Sequence, residues 1–331
     1  MQKKERWILL FLLTVLLLLT VGSRAALDGA GKGVDLFLFT VLPSALPFMV
    51  LAHLTGTYAG ETLLPALLTG NLAGYPAGGA LCARLVSDGD ASFADTFLLL
   101  TACVGAGPGL TLSTVGTAIL NAPSAGRILY ASQLLTSLTA AVPLLFRKRN
   151  NGRPTAPPPF TTAFVSAVKE SSLAALSIGG YIVLFSCLLA SCADRFGFPN
   201  GKLGMTLAGL VEISNGCARA SRSFGETGLV LLGFLLGFGG LSVLCQLLSV
   251  TQGSSIKAKT VLLSRVAASL LGGMYTFLLC RLFPSSVPTA VFSPATDTAA
   301  FHPFPLALTL CLLVLSLLLC DQRTLTARFS P

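Results

Sequence analysis

One apolar segment, at residues 64–85, contains the run Asn71-Leu72-Ala73-Gly74-Tyr75-Pro76-Ala77-Gly78-Gly79. Pro76 has no backbone N–H, and the glycines permit conformations closed to other residues, so the run predicts a break in the helix. Non-helical backbone cannot face lipid, because its N–H and C=O groups would be left unpaired in hydrocarbon. Within a membrane, such a break must line other protein or a water-filled cavity. The alternative is a tight crossing of two helices through small residues.

The composition around this run indicates a membrane protein. Of 331 residues, 53% are hydrophobic and 11% are charged, whereas soluble domains contain about 25% charged residues. A transmembrane helix needs roughly 20 apolar residues. Further apolar stretches lie at 33–52, 94–120, 126–146, 168–192, 203–218, 228–250, 259–283 and 304–320. The sequence therefore predicts an all-α polytopic membrane protein.

The N-terminus begins with basic residues, continues with an apolar stretch at 8–21 and reaches Gly22-Ser23-Arg24-Ala25-Ala26. Small residues after an apolar core are typical of a cleavable signal peptide. Arg24 beside the possible cleavage site and the further apolar segments favour the alternative, in which residues 1–24 form a retained transmembrane helix.

The basic residues behind the formal net charge of +9 form small clusters at the ends of apolar segments. The clusters are Lys3, Lys4 and Arg6; Arg147, Lys148, Arg149 and Arg153; and Lys257, Lys259 and Arg265. Short loops rich in Lys and Arg stay on the cytoplasmic side of a membrane, so the clusters predict topology. Binding of nucleic acid is not expected, because the sequence has no nucleic-acid-binding motif.

Motifs for catalysis, cofactors and metals are absent from the sequence. The nine cysteines form no CxxC pair and lie in or beside apolar runs, where thiols act as small hydrophobic groups. No GxSxG, HExxH or Walker motif occurs. We therefore expect no metal site, no cofactor and no enzymatic activity.

A polar linker at 147–163 divides the chain into two similar halves, predicted at 30–146 and 164–285 and followed by a C-terminal transmembrane helix at 300–322. Gly107-Pro108-Gly109 in the first half matches Gly239-Gly240-Leu241 in the second. Other segments recur in the same order, at a spacing of about 130–140 residues. Weak internal symmetry of this kind is typical of transporter repeats.

Basic residues within 1–6, 147–153 and 321–328 place both termini and the linker in the cytoplasm, so each half must cross the membrane an odd number of times. Each half has four apolar segments, and one of them must therefore enter and leave on the same side. Segments 64–85 and 203–218 are short and broken, and we predict that both are re-entrant. The remaining three crossings per half then give two inverted repeats.

Three further motifs extend the candidate site. Gly105-Ala106-Gly107-Pro108-Gly109 interrupts a segment at which half-helix N-termini would attract an anion, with a proline kink as the alternative. Glu212-Ile213-Ser214-Asn215-Gly216 contains an intramembrane carboxylate, which is a candidate proton or cation site or the structural partner of Arg219. Gly237-Phe238-Gly239-Gly240-Leu241-Ser242 is followed by Gln246, a hydrogen-bonding group within an apolar span.

Both halves are thus predicted to form one substrate-binding site near the middle of the membrane. We expect Tyr75-Pro76 and Gly107-Pro108 to face one another there, and Arg84 or Arg219 to attract an anionic substrate. The candidate site residues are Asn71, Gly74, Tyr75, Pro76, Gly78, Gly107, Pro108, Glu212, Asn215, Gly216, Gly239, Gly240, Ser242 and Gln246.

The ordered set of motifs across residues 30–285 resembles one family, the sporulation integral membrane proteins of the YlbJ (stage V sporulation protein V) type. The motifs are Val41-Leu42-Pro43-Ser44-Ala45-Leu46-Pro47-Phe48, Gly74-Tyr75-Pro76-Ala77-Gly78, Gly107-Pro108, Gly179-Gly180-Tyr181-Ile182-Val183-Leu184-Phe185, Leu210-Val211-Glu212-Ile213-Ser214-Asn215-Gly216 and Phe238-Gly239-Gly240-Leu241-Ser242-Val243-Leu244-Cys245-Gln246. That family is similar to carriers of the nucleoside-recognition, or Gate, domain, which also occurs in concentrative nucleoside transporters with re-entrant hairpins. The resemblance implies a role in endospore formation, in which a protein of the outer forespore membrane passes dipicolinic acid to the spore.

We therefore expect a transporter or channel-like protein that moves a small polar or anionic molecule, with dipicolinate implied by the resemblance. A carrier of nucleosides or other small metabolites is the alternative within the same class. A structural membrane protein of the spore envelope is the alternative outside it. The expected partners are the substrate and the lipid bilayer, and a homo-oligomer is left open.

Overall fold

The computed structural model describes residues 3–59, 63–87, 92–146, 158–220 and 225–284, and all the regular structure in these ranges is helical. The helices are α1 (Lys3–Val21), α2 (Ser23–Leu36), the π-helical turn π1 (Phe37–Val41), α3 (Leu42–Ala59), α4 (Leu63–Ala73), α5 (Tyr75–Ser87), α6 (Phe93–Cys103), the π-helix π2 (Gly109–Ile119), α7 (Pro123–Leu145), α8 (Phe160–Phe196), α9 (Gly201–Val211), α10 (Ile213–Ala220), α11 (Glu226–Phe238), α12 (Gly240–Val250) and α13 (Ala258–Leu282). The basic cluster at 147–153 and the C-terminal helix predicted at 300–322 lie outside the described residues.

Five of the described helical spans are long and apolar enough to cross a membrane: Ser23–Tyr58, Pro123–Leu145, Phe160–Phe196, Glu226–Val250 and Ala258–Leu282. Their outward faces are apolar. On α13, for example, Leu270, Met274 and Phe277 are 59%, 49% and 46% exposed. Apolar surface on this scale marks contact with lipid rather than water. The chain is therefore an all-α polytopic membrane protein, which confirms the prediction from composition.

The N-terminal segment is part of a longer rod. The N–H of Gly22 donates to the carbonyl of Leu18 at 3.0 Å, and that of Ala26 to Gly22 at 2.8 Å. This i to i−4 pattern continues α1 into α2, and π1 and α3 follow directly. Within the segment 1–24, predicted as a separate helix, the described residues from Lys3 onward thus form the first part of this rod.

Two pairs of short helices turn back on themselves. Gly70 in α4 and Gly78 in α5 both face the backbone carbonyl of Cys103, whereas a straight helix would separate them by about 12 Å. Gly209 in α9 and Gly216 in α10 touch through their backbones in the same way. The segments predicted to be re-entrant are therefore helical hairpins, and their depth in a membrane stays a prediction.

Two other segments are broken without forming a hairpin. α6 ends at Cys103 and π2 begins at Gly109, while α11 ends at Phe238 and α12 begins at Gly240. Each half then has the same order: a long helix, a hairpin, a broken helix and a final long helix. This order agrees with the internal similarity seen in the sequence.

The long helices that begin the two halves run antiparallel. Successive contacts join Gly22 to Ser191, Gly29 to Cys187 and Gly33 to Val183. α2 and α8 therefore run in opposite directions. α8 itself begins at Phe160, inside the predicted linker.

Candidate functional site

The tip of the first hairpin is a single glycine. Gly74 has φ +92°, a left-handed conformation that favours glycine, and it joins α4 directly to α5. The next residue, Tyr75, is 5% exposed, and its hydroxyl donates to the carbonyl of Leu236 at the end of α11. The first hairpin is thus joined to the second half of the chain.

Asn71 fixes this hairpin from behind the tip. Its Nδ2 donates to the carbonyl of Leu67 at 2.8 Å, to that of Ala102 at 3.0 Å and to the Ser137 hydroxyl at 2.8 Å. The last two of these bonds connect α4 to the end of α6 and to α7. Asn71 therefore orients the hairpin through its amide.

The break in the first half lies against the first tip. Residues 104–107 form no helix between α6 and π2. A Cβ atom added at Gly107 would lie 2.8 Å from the Leu72 carbonyl oxygen and 3.2 Å from the Gly74 nitrogen. The absence of a side chain at Gly107 is what allows this approach, and the two predicted breaks are in contact.

The tip of the second hairpin is Glu212, whose carboxylate is buried. Glu212 is 2% exposed. Its oxygens accept the backbone N–H groups of Ser214 at 3.0 Å and Asn215 at 2.7 Å, and the Asn215 Nδ2 at 3.0 Å. The side chain therefore caps the N-terminus of α10, where negative charge is favourable. The Arg219 guanidinium, considered as a partner of this carboxylate, lies 4.4 Å from the centre of the Phe198 ring.

Asn215 links the second tip to the long helix of its own half. Its Nδ2 donates to the Ser186 hydroxyl in α8 at 2.8 Å. Ser186 was not among the sequence candidates, because a serine in an apolar helix is usually satisfied by the preceding turn. Only the fold shows that it faces Asn215.

The break in the second half lies against the second tip. Gly239 and Gly240 have φ values of +85° and +81°, which explains why both positions are glycine. A Cβ atom at Gly240 would lie 2.7 Å from the Gly209 carbonyl oxygen. α12 starts here, and its first two turns carry Ser242 and Gln246.

One cavity of about 60 Å³ is bordered by both tips, by the first break and by α12. A single water needs about 10–15 Å³ on this scale, so the cavity has room for several waters. Its walls are Leu72, Ala73, Gly74, Tyr75, Pro76, Gly107, Gly109, Leu110, Glu212, Ile213, Ser214, Ser242, Val243 and Gln246, with Val41, Ala45, Phe48, Met49 and Ile178 from the long helices.

Two polar side chains of α12 face this cavity. Ser242 is 1% exposed and Gln246 is 8% exposed, and both border the cavity. Among the described residues, neither side chain has a hydrogen-bond partner. Buried polar groups normally have partners, so these two are available to water or a ligand.

The predicted site residues fall into two layers. Those that line the cavity are Gly74, Tyr75, Pro76, Gly107, Glu212, Ser242 and Gln246. Those outside the lining are Asn71, Gly78, Pro108, Asn215, Gly216, Gly239 and Gly240. The second group mostly packs backbones together or orients the tips. Binding of a substrate by either layer stays a prediction.

Arg265 is the main residue that sequence reasoning placed wrongly. The sequence pattern places it in a basic cluster with Lys257 and Lys259 at a segment end, but its side chain is 0% exposed within α13. It donates to the carbonyls of Leu100 and Val104. An arginine inside an apolar span is a signal for function that could have been read from the sequence.

The two arginines expected to attract an anion do not line the cavity. Arg84 is exposed in the last turn of α5, and Arg219 is half-buried at the end of α10. Within the described residues, the fully buried cation is Arg265. Attraction of an anion by Arg84 or Arg219 from outside the cavity lining stays a prediction.

Comparison with known proteins identifies a relative of this chain. The chain is 23% identical to the sporulation integral membrane protein YlbJ of Bacillus subtilis (strain 168), over 78% of each chain. It is a distant relative of that protein. No protein-family model and no solved structure matches the chain. The relationship and the membrane-spanning helices together make this an integral, multi-pass membrane protein related to a sporulation protein.

Proposed function

We propose that the cavity is the substrate site of a membrane transporter or channel-like protein. The observation that supports this most directly is that both hairpin tips and both broken helices meet at one cavity containing unpartnered polar side chains. Discontinuous helices that meet near the midplane are the usual construction of transporter sites. A purely structural membrane protein gives no reason to keep Ser242 and Gln246 unpaired there.

We propose that the substrate is a small anion, and dipicolinate is the first candidate. α5, π2 and α12 begin at or beside the cavity, and helix N-termini favour negative charge. Ser242 and Gln246 add hydrogen-bond donors. The identity of dipicolinate, and the outer forespore membrane as its location, rest on the resemblance of motifs and on the relationship to a sporulation protein.

Binding of an anion in this cavity depends on the charge of the Glu212 carboxylate. An ionised carboxylate in the same cavity would repel an anion, so we propose that Glu212 takes up a proton or lies beside a cation when substrate binds. A proton or cation would then move with the substrate. The carboxylate is in place for this because it borders the cavity while it caps α10.

Uptake into proteoliposomes tests the function. Labelled dipicolinate should accumulate inside vesicles that contain the protein and not in empty vesicles. In sporulating cells, a null strain should make normal total dipicolinate but fill its spores poorly. Spores with full dipicolinate content in the null strain would refute the assignment.

A nucleoside is the second candidate, and the apolar wall favours it. Phe48, Met49 and Ile178 face the polar side of the cavity, and such a wall suits a flat base held by an amide such as Gln246. Labelled nucleoside in the same vesicles decides between the two substrates.

We also propose that the halves are inverted repeats with both termini and the linker in the cytoplasm. The antiparallel course of α2 and α8 supports this arrangement. A cysteine introduced at Asn151 should be protected from impermeant reagents in intact cells. Labelling from outside would overturn the topology while leaving the cavity unaffected.

A further inference from the structure

Arg265 lies where the two broken helices end. Its Nη2 donates to the carbonyl of Leu100 at 2.8 Å, and its Nη1 donates to Val104 and, at 3.4 Å, to Gly237. Leu100 and Val104 are at the C-terminal end of α6, and Gly237 is at that of α11. The Leu100 carbonyl also accepts the Val104 N–H at 3.1 Å, whereas carbonyls beyond the last helical bond, such as that of Val104, lack partners within the helix. A cation at this end is favoured by the helix dipole.

Tyr75 makes the reciprocal bond. It belongs to the first half and donates to Leu236 in α11 of the second half. Arg265 belongs to the second half and donates to α6 of the first half. Each half therefore supplies a side chain to the end of the other half's broken helix.

The charge of Arg265 has an unusual environment. All three hydrogen-bond acceptors of its guanidinium are backbone carbonyls, and within the described residues its Nε is buried without a partner. Burying a cation without a carboxylate is costly. An apolar residue would fill the same space at lower cost, so the carbonyl bonds themselves are what this arginine provides.

We propose that Arg265 is the positioning residue of the cavity. Its guanidinium bridges the ends of α6 and α11 through their carbonyls, and with Tyr75 it fixes the two halves in the arrangement that forms the cavity. This role of Arg265 is independent of which substrate the cavity takes.

Cys103 offers a direct test, because it is the last residue of α6 and is 0% exposed. In full-length protein that retains Cys103 as its single cysteine, we would measure the alkylation rate with N-ethylmaleimide in detergent. Arg265→Gln should raise that rate at least about tenfold, the factor that corresponds to about 1.4 kcal/mol of easier opening. Arg265→Lys should give a smaller increase, because one ammonium cannot reach all three carbonyls.

Two controls separate positioning from general stability. Arg281→Gln, at the exposed end of the same helix where Arg281 lies 3.0 Å from Glu226, should leave the rate unchanged. A second single-cysteine protein that retains Cys192, buried in α8, should also be unaffected by Arg265→Gln.

The outcomes are distinct. Faster alkylation of Cys103 alone supports the proposal. Equal acceleration at Cys103 and Cys192 means that Arg265 only stabilises the whole fold, and no acceleration at either means that other contacts hold the helix ends; both results overturn it. If Arg265→Gln cannot be purified, Arg265→Lys and Tyr75→Phe are read in the same way.

Discussion

At the tip of the first hairpin the chain turns through Gly74, whose φ is +92°, whereas at the tip of the second it turns at Glu212, whose carboxylate accepts two backbone N–H groups. The first turn uses backbone conformation and leaves no side chain at its apex. The second uses a side chain that can gain or lose a proton. A helical hairpin can therefore turn through a left-handed glycine or at a capping carboxylate, and only the carboxylate supplies a titratable group.

The two broken helices show the same contrast between the halves. Between α6 and π2 there are several non-helical residues, and Gly107 there meets the first tip through backbone atoms. Between α11 and α12 the only intervening residue is Gly239, and the following helix presents Ser242 and Gln246 to the cavity. The first half contributes mainly shape and backbone to the cavity, and the second half contributes side-chain chemistry.

Bulk in the first half should have the largest effect. Gly107→Leu would force a side chain into backbone atoms of the first tip, because even a Cβ atom lies 2.8 Å from the Leu72 carbonyl oxygen. We expect uptake to fall at least about 100-fold with insertion into the membrane retained, since a misplaced site commonly costs this much.

The matched control for this change is Gly180→Leu, because a side chain at Gly180 meets no atom within 4 Å. It should transport normally in the same proteoliposome assay. If Gly107→Leu retains uptake close to that of Gly180→Leu, the first break does not shape the substrate path.

Loss of the charge in the second half should have the next largest effect. Glu212→Gln keeps one oxygen to accept an N–H at the α10 N-terminus, so the hairpin should stay folded. We expect uptake to fall about 100-fold, at the lower end of the range for a lost proton-transfer group, and to lose its dependence on pH. Uptake measured across a pH series checks both.

Glu170→Gln is the control, because Glu170 is half-exposed and lies 3.4 Å from His53 on the outside of the protein. It should leave the pH profile of uptake unchanged. An unchanged profile for Glu212→Gln as well would make Glu212 a structural cap and nothing more.

Much of this arrangement could be predicted from the sequence, because glycine and proline inside apolar spans indicate breaks whichever way the helix faces. The hairpin at 64–85 and the breaks at Gly107 and Gly239 follow from such marks, whereas the second hairpin turns at Glu212, which is neither glycine nor proline. The direction in which a side chain points could not be predicted. Asn71 and Gln246 look alike in an apolar run, yet Asn71 binds carbonyls behind the tip and Gln246 faces the cavity.

The position of Arg265 was missed for a related reason. A basic residue near the start of an apolar segment usually extends to the membrane surface, and Lys257 and Lys259 beside it strengthened that interpretation. Its burial depends on α6 and α11 ending at the same place, which is a property of the tertiary fold. The apolar wall residues Phe48 and Ile178 carried no distinguishing signal at all.

A smaller effect is expected from the polar wall of the second half. Gln246→Leu removes an amide that has no protein partner among the described residues, so the melting temperature should hardly change. Loss of one or two bonds to substrate should raise KM about tenfold, equivalent to about 1.4 kcal/mol. Gln252→Leu, on an exposed turn after α12, should leave KM unchanged, and a fall in stability without a change in KM would show that Gln246 is structural.

The two tip asparagines should give the smallest effects and the sharpest contrast between the halves. Asn71→Ala removes two bonds that join α4 to α6 and α7, and one bond within α4. Hydrogen bonds between membrane helices contribute about 0.6 kcal/mol each on average, so the loss should be about 1 kcal/mol of stability, with uptake per folded molecule nearly unchanged. Asn215→Ala removes the bonds to Ser186 and to the Glu212 carboxylate, and should cost about 1 kcal/mol on the same basis. Asn215→Ala also removes a hydrogen bond to the Glu212 carboxylate. It should therefore shift the pH profile of uptake, which Asn71→Ala should not. Thermal unfolding in detergent and the pH series in proteoliposomes measure the two quantities separately. A pH shift in both variants, or in neither, would mean that the charge at the second tip does not distinguish the two halves in function.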